Sequence, residues 1–230
     1  RGIPPSWGMF PVRIDLTPEN GMELSEEEAL FQGSVAAFVD REVAPVARRI
    51  DEREEFPREL FARVAAQGWL GLRYPEAIGG GGGSAMIFNL LCEELARGSL
   101  GLAASVAMQC LMGTDFVFRF GTPAQKDRLL RPALRGEKIG VIAMTEPEAG
   151  SDLGAIRTRA TALGDGGWSI SGQKTWITNA TAADFFTVAA KTDPTAGFAG
   201  IDLFLVEAGT PGVTVGGKIP KLGARASETA

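Results

Sequence analysis

The period of the hydrophobic residues changes once along this chain, near Gly136. Before that point apolar residues recur at helical spacing. After about Ile139 the apolar runs are short, β-branched and separated by Gly, Asn and Asp. Helices followed by a run of strands are typical of an α+β protein. We therefore predict an irregular N-terminal extension at residues 1–24, an all-α helical domain at 25–136 and a small β-barrel or sandwich domain at 137–230.

Local signals predict where the helices begin and end. Ser25 with Glu28 and Thr122 with Gln125 both fit the capping box that opens a helix. Pro45 is predicted to disturb the first helix near its end, Pro57 to occupy the first turn of the next helix, and Gly68 to end that helix. The helix that opens at Thr122 is predicted to end near Leu130. The apolar stretch from Gly101 to Met112 predicts a helix buried on most faces.

In the second half no long helix separates the apolar runs, which disfavours βαβ crossovers and a dinucleotide-binding sheet. Gly166 and Gly167 are expected to form a hairpin turn. The predicted strands are "KIGVIAM", "IRTRATA", "GWSISGQKTWITN", "DFFTVAAKT", "GIDLFLVEA" and "GVTVGGK".

Composition excludes several classes of function. The chain has no histidine, so it cannot by itself build a Ser-His-Asp or Cys-His nucleophile or a His-ligated metal site. A net charge of −5 without a dense basic cluster argues against a nucleic-acid partner. Cys92 and Cys110 lack metal-ligand spacing, so we predict no metal site and a reducing compartment.

We see no targeting or membrane-spanning signal in this sequence, and we therefore predict a cytoplasmic location. The first residues lack the continuous apolar run of a signal peptide. The longest uncharged stretch, residues 98–114, is too short and too polar for a membrane helix, so we predict no membrane insertion.

Three features of the helical half have a plain structural interpretation. The glycine run Gly79–Gly83 lacks the context of a phosphate loop and is read as a flexible connection between helices. Glu93 and Glu94 are adjacent on a helix and point in different directions, so a solvated face is predicted. Met108 and Met112 lie one turn apart and fit either core filling or the wall of an acyl pocket.

The segment "MTEPEAGSD", residues 144–152, follows directly on an apolar strand. A plain turn accounts for Pro147, Gly150 and Asp152. A ligand loop also fits, because backbone N–H groups at a small-residue turn form a concave anion site and Thr145 adds a hydroxyl. The residues alone leave both interpretations open.

A second cluster, "GQKTWITNA", places Trp176 and Thr178 two residues apart on a predicted strand. Residues at that spacing face the same side. A flat aromatic ring beside a hydroxyl suits a planar heteroaromatic ligand, and a tryptophan in a barrel core fits equally well.

Together the two segments resemble the acyl-CoA dehydrogenase family, whose pattern is Thr-Glu-Pro-x-x-Gly-Ser-Asp followed by Gly-x-Lys-x-Trp-Ile-Thr-Asn. The segments "PEAIGGGGG", "FGTPAQKDRLLRPALRGE" and "VEAGTPGVTVGGKIPKLGARASETA" match in order, so the resemblance runs from about Ser25 to the last residue.

The resemblance implies a flavoprotein that binds FAD. It places the flavin ring against Ile142, Ala143, Met144 and Thr145, with the Thr145 hydroxyl on the pyrimidine edge. It places Trp176 and Ile177 beside the ring, the Thr178 hydroxyl near flavin N5, Gly150 and Ser151 at the pyrophosphate, and Ser151 also at the acyl-CoA. The acyl pocket is implied to be bordered by Ser105, Met108, Gln109 and Met112, whose methionines favour an unfunctionalised chain.

The implied reaction is α,β-dehydrogenation of an acyl-CoA thioester by a glutamate base, with hydride passing to flavin N5 and electrons to an electron-transfer flavoprotein. In the family the base and a C-terminal helical bundle, which supports a homotetramer, lie beyond the region matched here. We therefore assign no catalytic residue in this chain and expect residues 1–230 alone to be inactive. The alternatives are a related flavin oxidase or monooxygenase, and an inactive fragment that acts as an assembly partner.

Overall fold

The computed structural model describes residues 23–164 and 166–230, and the predicted extension at 1–24 falls almost wholly outside them. The described chain is helical up to Leu134 and forms strands from Gly140 onward. The predicted α+β class, with an all-α part followed by a β part, is confirmed. The division at residues 136 and 137 falls in the segment between the last helix and the first strand, and it stays a prediction.

From residue 23 onward, the helical part has short connections and three π-turns, each a single turn of π-helix. The π-turns are Val39–Val43, Gln109–Gly113 and Lys126–Leu130. The helices are α1 (Glu26–Phe38), α2 (Ala44–Arg53), α3 (Arg58–Ala66), α4 (Ala85–Gly98), α5 (Leu100–Met108), α6 (Asp115–Phe120), α7 (Pro123–Gln125) and α8 (Arg131–Leu134).

Both predicted capping boxes are confirmed. The Ser25 N–H donates to Glu28 Oε2 (2.8 Å) and the Glu28 N–H donates back to Ser25 Oγ (3.3 Å). Thr122 and Gln125 make the same reciprocal pair at 2.8 and 3.3 Å. Each box satisfies two backbone N–H groups that the first turn of a helix leaves without partners.

The predicted disturbance at Pro45 is confirmed as a π-turn just before this proline, and the chain remains helical beyond it. Pro45 and Pro132 each occupy the second position of a helix that follows a π-turn, and the chain stays helical to Arg53 and Leu134. A proline has no N–H with which to donate a hydrogen bond to the carbonyl four residues earlier. The hydrogen bonds just before the proline therefore span five residues instead of four. Pro57 is the residue preceding α3 rather than its first residue.

The helix stop at Gly68 is confirmed, since this glycine follows α3 with φ +78°. The glycine run Gly79–Gly83 does connect helical segments, but it is packed rather than flexible. The Gly83 N–H donates to Leu72 O at 2.7 Å. A Cβ on Gly80 would lie 2.0 Å from Tyr74 O, which only glycine avoids.

The helix that runs from Leu100 to Phe120 through the π-turn has 21 residues and passes a length and hydropathy test for a membrane span. It is longer than residues 98–114, the uncharged stretch from which we predicted no membrane insertion. Because 56% of its most apolar window is buried inside the protein, we interpret it as a core helix.

Within the described residues the strands form one open five-stranded sheet, a half-barrel, with β4 at its centre. β4 pairs along its full length with antiparallel β5, and its other edge pairs in parallel with β1 and, at Lys191, with β2. The strands are β1 (Gly140–Ala143), β2 (Arg159–Ala162), β3 (Trp168–Ser171), β4 (Phe185–Lys191) and β5 (Ile201–Glu207).

The predicted hairpin is confirmed, because β2 and β3 pair antiparallel and Gly166 has φ +83° in their connection. Two strand predictions are wrong. The strand predicted through "GWSISGQKTWITN" ends at Ser171, and "GVTVGGK" at residues 212–218 forms no strand. A single hydrophobic cluster joins Leu102 of the helices to Val141 and Phe186 of the sheet, so the two parts share a core.

Candidate functional site

The first predicted ligand segment leaves β1 and closes into a tight turn. The Glu146 N–H donates to Ala149 O (2.9 Å), and the Ala149 N–H donates to Glu146 O (3.1 Å). These two bonds make Pro147 and Glu148 an exposed tip. Of the two glutamates in this turn, Glu148 is exposed to solvent and Glu146 is buried.

The Glu146 carboxylate is held by three groups. It accepts from the backbone N–H of Arg157 (2.6 Å), the backbone N–H of Thr158 (3.0 Å) and the Lys174 ammonium (2.7 Å). Burial alone would raise the pKa of Glu146, but the hydrogen bonds, led by that from Lys174, outweigh it and lower the pKa to about 2. Glu146 is therefore ionised at neutral pH and is unsuited to accept a proton in catalysis.

The second predicted segment lies against the first. The Lys174 ammonium donates to Met144 O (3.0 Å), and the Thr175 N–H donates to Thr145 O (2.9 Å). Residues about 30 positions apart in sequence are thereby joined side by side at the exit of β1. The two motifs, which the sequence associates only by resemblance, form one surface.

Beyond Thr175 the second segment is irregular. Trp176 has φ +60° and is 57% exposed. Ile177 exchanges backbone hydrogen bonds with Ala230 (2.8 and 3.2 Å), and Thr178 forms an isolated bridge with Thr229. The prediction that Trp176 and Thr178 share one face of a strand is wrong, and so is the alternative that Trp176 fills a barrel core.

Asn179 anchors the end of this segment. Its backbone is left-handed at φ +65°, and its buried Nδ2 donates to Ser105 O of α5 at 3.0 Å. The bond connects the second segment to the helix that carries the predicted acyl-pocket residues.

The predicted flavin residues differ in exposure. Ala143 and Ile177 are buried; Ile142, Met144, Thr145 and Thr178 are half-buried; Gly150, Ser151 and Trp176 are exposed. A cavity of about 1080 Å³ opens on the sheet, but its lining includes only Ala143 and Ile177 of these nine. The cavity covers the Phe186 and Val188 side of β4, and its lining also includes Gln173, Lys174 and Thr175 of the second segment.

The predicted acyl-pocket residues divide into two pairs. Met108 is half-buried and Met112 is 39% exposed, so core filling is wrong for Met112. Ser105 is fully buried. Gln109 is fully buried too, because it lies between the helices and β1 and bonds to backbone there. The structure therefore corrects Gln109 from a substrate contact to a brace between two parts of the fold, and leaves Ser105 without an open face.

The contacts of three polar residues escaped the sequence interpretation. Lys174 and Asn179 stand inside the recognised motif, but nothing in the sequence shows what they bind. Glu94 was assigned to a solvated face, yet it is buried and accepts hydrogen bonds from Gln32 Nε2 (3.3 Å) and Arg97 Nε (2.8 Å).

Comparison with known proteins gives a consistent result. Residues 25–137 match the model of the acyl-CoA dehydrogenase N-terminal domain, and residues 141–230 match that of the middle domain. The chain is 49% identical to benzylmalonyl-CoA dehydrogenase of Aromatoleum aromaticum, across 90% of the chain and 54% of that protein. It is 37% identical to the mitochondrial short-chain specific acyl-CoA dehydrogenase of Bos taurus, across 100% of the chain and 55% of that protein.

Solved structures agree. Butyryl-CoA dehydrogenase of Megasphaera elsdenii superposes with a TM-score of 0.85 at 34% identity, across 90% of the chain and 55% of that protein. The chain thus spans about half the length of the relatives it matches. On these matches and on the two motifs joined at the exit of β1, the chain belongs to the acyl-CoA dehydrogenase family.

Proposed function

We propose that this chain carries the flavin-binding surface of an enzyme that dehydrogenates an acyl-CoA thioester between its α and β carbons. The observation that carries the proposal is the joining of the two motifs at the exit of β1, through Lys174 to Met144 O and Thr175 to Thr145 O. Relatives named as acyl-CoA dehydrogenases support the reaction class.

The residues on this surface fit FAD. Trp176 has a left-handed backbone and an exposed flat ring, on which a planar ligand can stack. A Cβ placed on Gly150 would meet no atom within 4 Å, so the approach to the backbone there is open to a phosphate group. We propose that Thr145 and Thr178 direct their hydroxyls to the ring. When bound, FAD supplies the two-electron acceptor that no side chain provides.

We propose that the proton-abstracting base does not lie on this surface. Glu146 is saturated with donors and its pKa is lowered to about 2, so it holds the turn rather than exchanging protons. We propose that a carboxylate from outside residues 23–230 acts as the base.

The substrate side follows from α5 and the π-turn. Met108 and Met112 offer thioether and methylene surface without charge, which fits an apolar acyl chain. We propose an acyl-CoA substrate without a charged group at this wall, an electron-transfer flavoprotein as electron acceptor, a homotetrameric enzyme and a cytoplasmic location. Ser151 is exposed beside the turn and remains our candidate for contact with both the pyrophosphate and the acyl-CoA.

The test uses the full-length protein. We expect added FAD to bind with a perturbed flavin absorption band, and anaerobic addition of butyryl-CoA or 3-phenylpropionyl-CoA to bleach that band. Bleached protein should recover its colour with electron-transfer flavoprotein and only slowly with air. Fast recovery in air identifies a flavin oxidase instead. Absence of any FAD binding refutes the proposal.

A further inference from the structure

We infer that Lys174 is a positioning residue for the flavin surface: its ammonium fixes the two motif segments in register through Glu146 and Met144 O. The inference rests on the proposed function for its flavin readouts. The register itself is a property of the protein without ligand, and it is tested separately.

The first step is the geometry of the pair. The Lys174 and Glu146 side chains are 11% and 4% exposed, so the ion pair is nearly free of solvent. Lys174 Nζ donates to Glu146 Oε1 (2.7 Å) and to Met144 O (3.0 Å). An ammonium offers three donors without a fixed plane, so it can serve a carboxylate and a carbonyl in different directions.

The second step is the number of segments that meet at the carboxylate. Glu146 belongs to the turn after β1, Lys174 follows β3, and the Arg157 and Thr158 N–H donors lead into β2. One buried carboxylate therefore fixes three segments that are distant in sequence. Removing either charge leaves the other buried without its partner, which costs much more than removing both.

The third step is the distance along the chain to the groups that face the flavin. Met144 and Thr145 are the residues just before Glu146, and Trp176 is two residues after Lys174. Within residues 23–164 and 166–230, these stretches share one backbone hydrogen bond, from the Thr175 N–H to Thr145 O at 2.9 Å. The pair thus sets how the Thr145 hydroxyl stands relative to the Trp176 ring, and small misplacements at a cofactor site have large effects.

The test compares Lys174→Met, Lys174→Arg and the double variant Lys174→Met/Glu146→Gln with the full-length wild type. Glu94→Gln is the matched control, because Glu94 is a buried carboxylate paired with Arg97 in the helical part. We expect Lys174→Met to weaken FAD binding by roughly tenfold or more, from the loss of a charge-assisted hydrogen bond. We also expect it to shift the absorption maxima and midpoint potential of bound flavin.

The other variants separate charge from shape. Lys174→Arg should recover only part of the FAD affinity, because a guanidinium retains the charge but its fixed plane fits the carboxylate and the Met144 carbonyl less well. The double variant should be more stable to heat than Lys174→Met, since no buried charge is left unpaired, but its flavin spectrum should stay shifted. Glu94→Gln should lower the melting temperature and leave the FAD affinity and spectrum unchanged.

A ligand-free measurement keeps the inference separable from the proposed function. Hydrogen exchange of the apo protein should show loss of protection at the Thr175, Arg157 and Thr158 amides in Lys174→Met and none in Glu94→Gln. If the wild-type protein binds no FAD, the proposed function is refuted. The hydrogen-exchange measurement then still shows whether Lys174 holds the two motif segments in register. If Lys174→Met keeps wild-type exchange at these amides, or keeps wild-type FAD affinity and spectrum at a lowered melting temperature, the positioning role is refuted.

Discussion

Replacing Gln109 with methionine tests how the helical part is fastened to the sheet. The Gln109 side chain lies in the π-turn after α5 and makes three hydrogen bonds to backbone. Nε2 donates to Ala133 O (3.3 Å) and Lys138 O (3.0 Å), and Oε1 accepts from the Gly140 N–H at the start of β1 (3.0 Å). Methionine has nearly the same length and shape, so the change removes polar atoms without opening a large cavity.

The expected loss of stability depends on which backbone groups lose a hydrogen-bond partner. Ala133 O keeps a hydrogen bond from the Gly136 N–H (3.1 Å), so its loss is small. The buried Gly140 N–H loses its acceptor on Gln109, and a buried polar group left unpaired costs about 1–3 kcal/mol. The half-buried Lys138 O loses a donor at a smaller cost. We expect Gln109→Met to lower the free energy of unfolding by about 3 kcal/mol. For a chain of this size that corresponds to a melting temperature lower by roughly 6–12 °C.

Urea unfolding followed by circular dichroism and by tryptophan fluorescence measures the change. Gln67→Leu is the control, because Gln67 is exposed and such a substitution costs less than about 0.5 kcal/mol. Gln109→Glu adds a test of sign. An ionised carboxylate cannot donate to Lys138 O, so its folded-state pKa should rise above the unfolded value. Its penalty relative to wild type should then grow as pH rises above about 4.

Two results refute this reasoning. A loss below about 1 kcal/mol in Gln109→Met means that the three bonds are not the fastening. If the loss of stability in Gln109→Glu does not change with pH, the carbonyl oxygen atoms that need a donor at this position are not its cause.

Three further predictions concern the candidate site. The Glu146 pKa, lowered from 4.5 to about 2, implies a stabilisation of about 3 kcal/mol that is present above pH 4.5 and lost as pH falls toward 2. Glu146→Gln should therefore be less stable than wild type at pH 7 and approach it in acid; a constant difference across an acid titration contradicts this. A Cβ on Gly113 would lie 2.0 Å from Gly140 O, so Gly113→Ala should destabilise by more than about 2 kcal/mol in thermal melts. Gly216→Ala, with no atom within 4 Å, should not, and equal melts would contradict the close contact. Thr178→Val should shift the flavin potential and slow flavin reduction in stopped-flow measurements, and unchanged rates would remove Thr178 from its place near N5.

The helix starts were predictable because their causes are local. Ser25 and Glu28 are three residues apart, as are Thr122 and Gln125, and the bonds that fix them are visible in the sequence pattern. The same holds for the hairpin at Gly166, where one glycine supplies the positive φ of the turn.

The site escaped prediction where its contacts are distant. Lys174 lies 28 positions from Glu146, and Gln32 lies 62 positions from Glu94. A carboxylate beside turn residues or on a helix is normally solvated. Nothing near Glu146 or Glu94 in the sequence indicates that a partner arrives from elsewhere in the fold. The burial of Gln109 is hidden for the same reason, since its acceptors belong to α8 and to the segment before β1.

The wrong strand at "QKTWITN" shows what competes with local preference. Thr, Trp and Ile favour extended pairing, and the pattern alone supports a strand. Trp176 instead has φ +60°, a conformation that costs a residue with a side chain about 1–2 kcal/mol. Such strain persists only where surrounding contacts impose it. Here Lys174 fixes one side of Trp176, and the paired Ile177 and Ala230 fix the other.

The strain at Trp176 bears on function. Glycine would satisfy a turn at this position without cost, and a tryptophan with 57% of its surface exposed gains little from burial. The backbone strain and the exposed ring are thus both unfavourable for the isolated fold. A flat ligand packed on the ring would recover the lost burial, and the bond from the Thr175 N–H to Thr145 O holds the neighbouring backbone against the first segment. The conformation that the sequence did not predict is therefore the one on which the proposed binding of a planar cofactor depends.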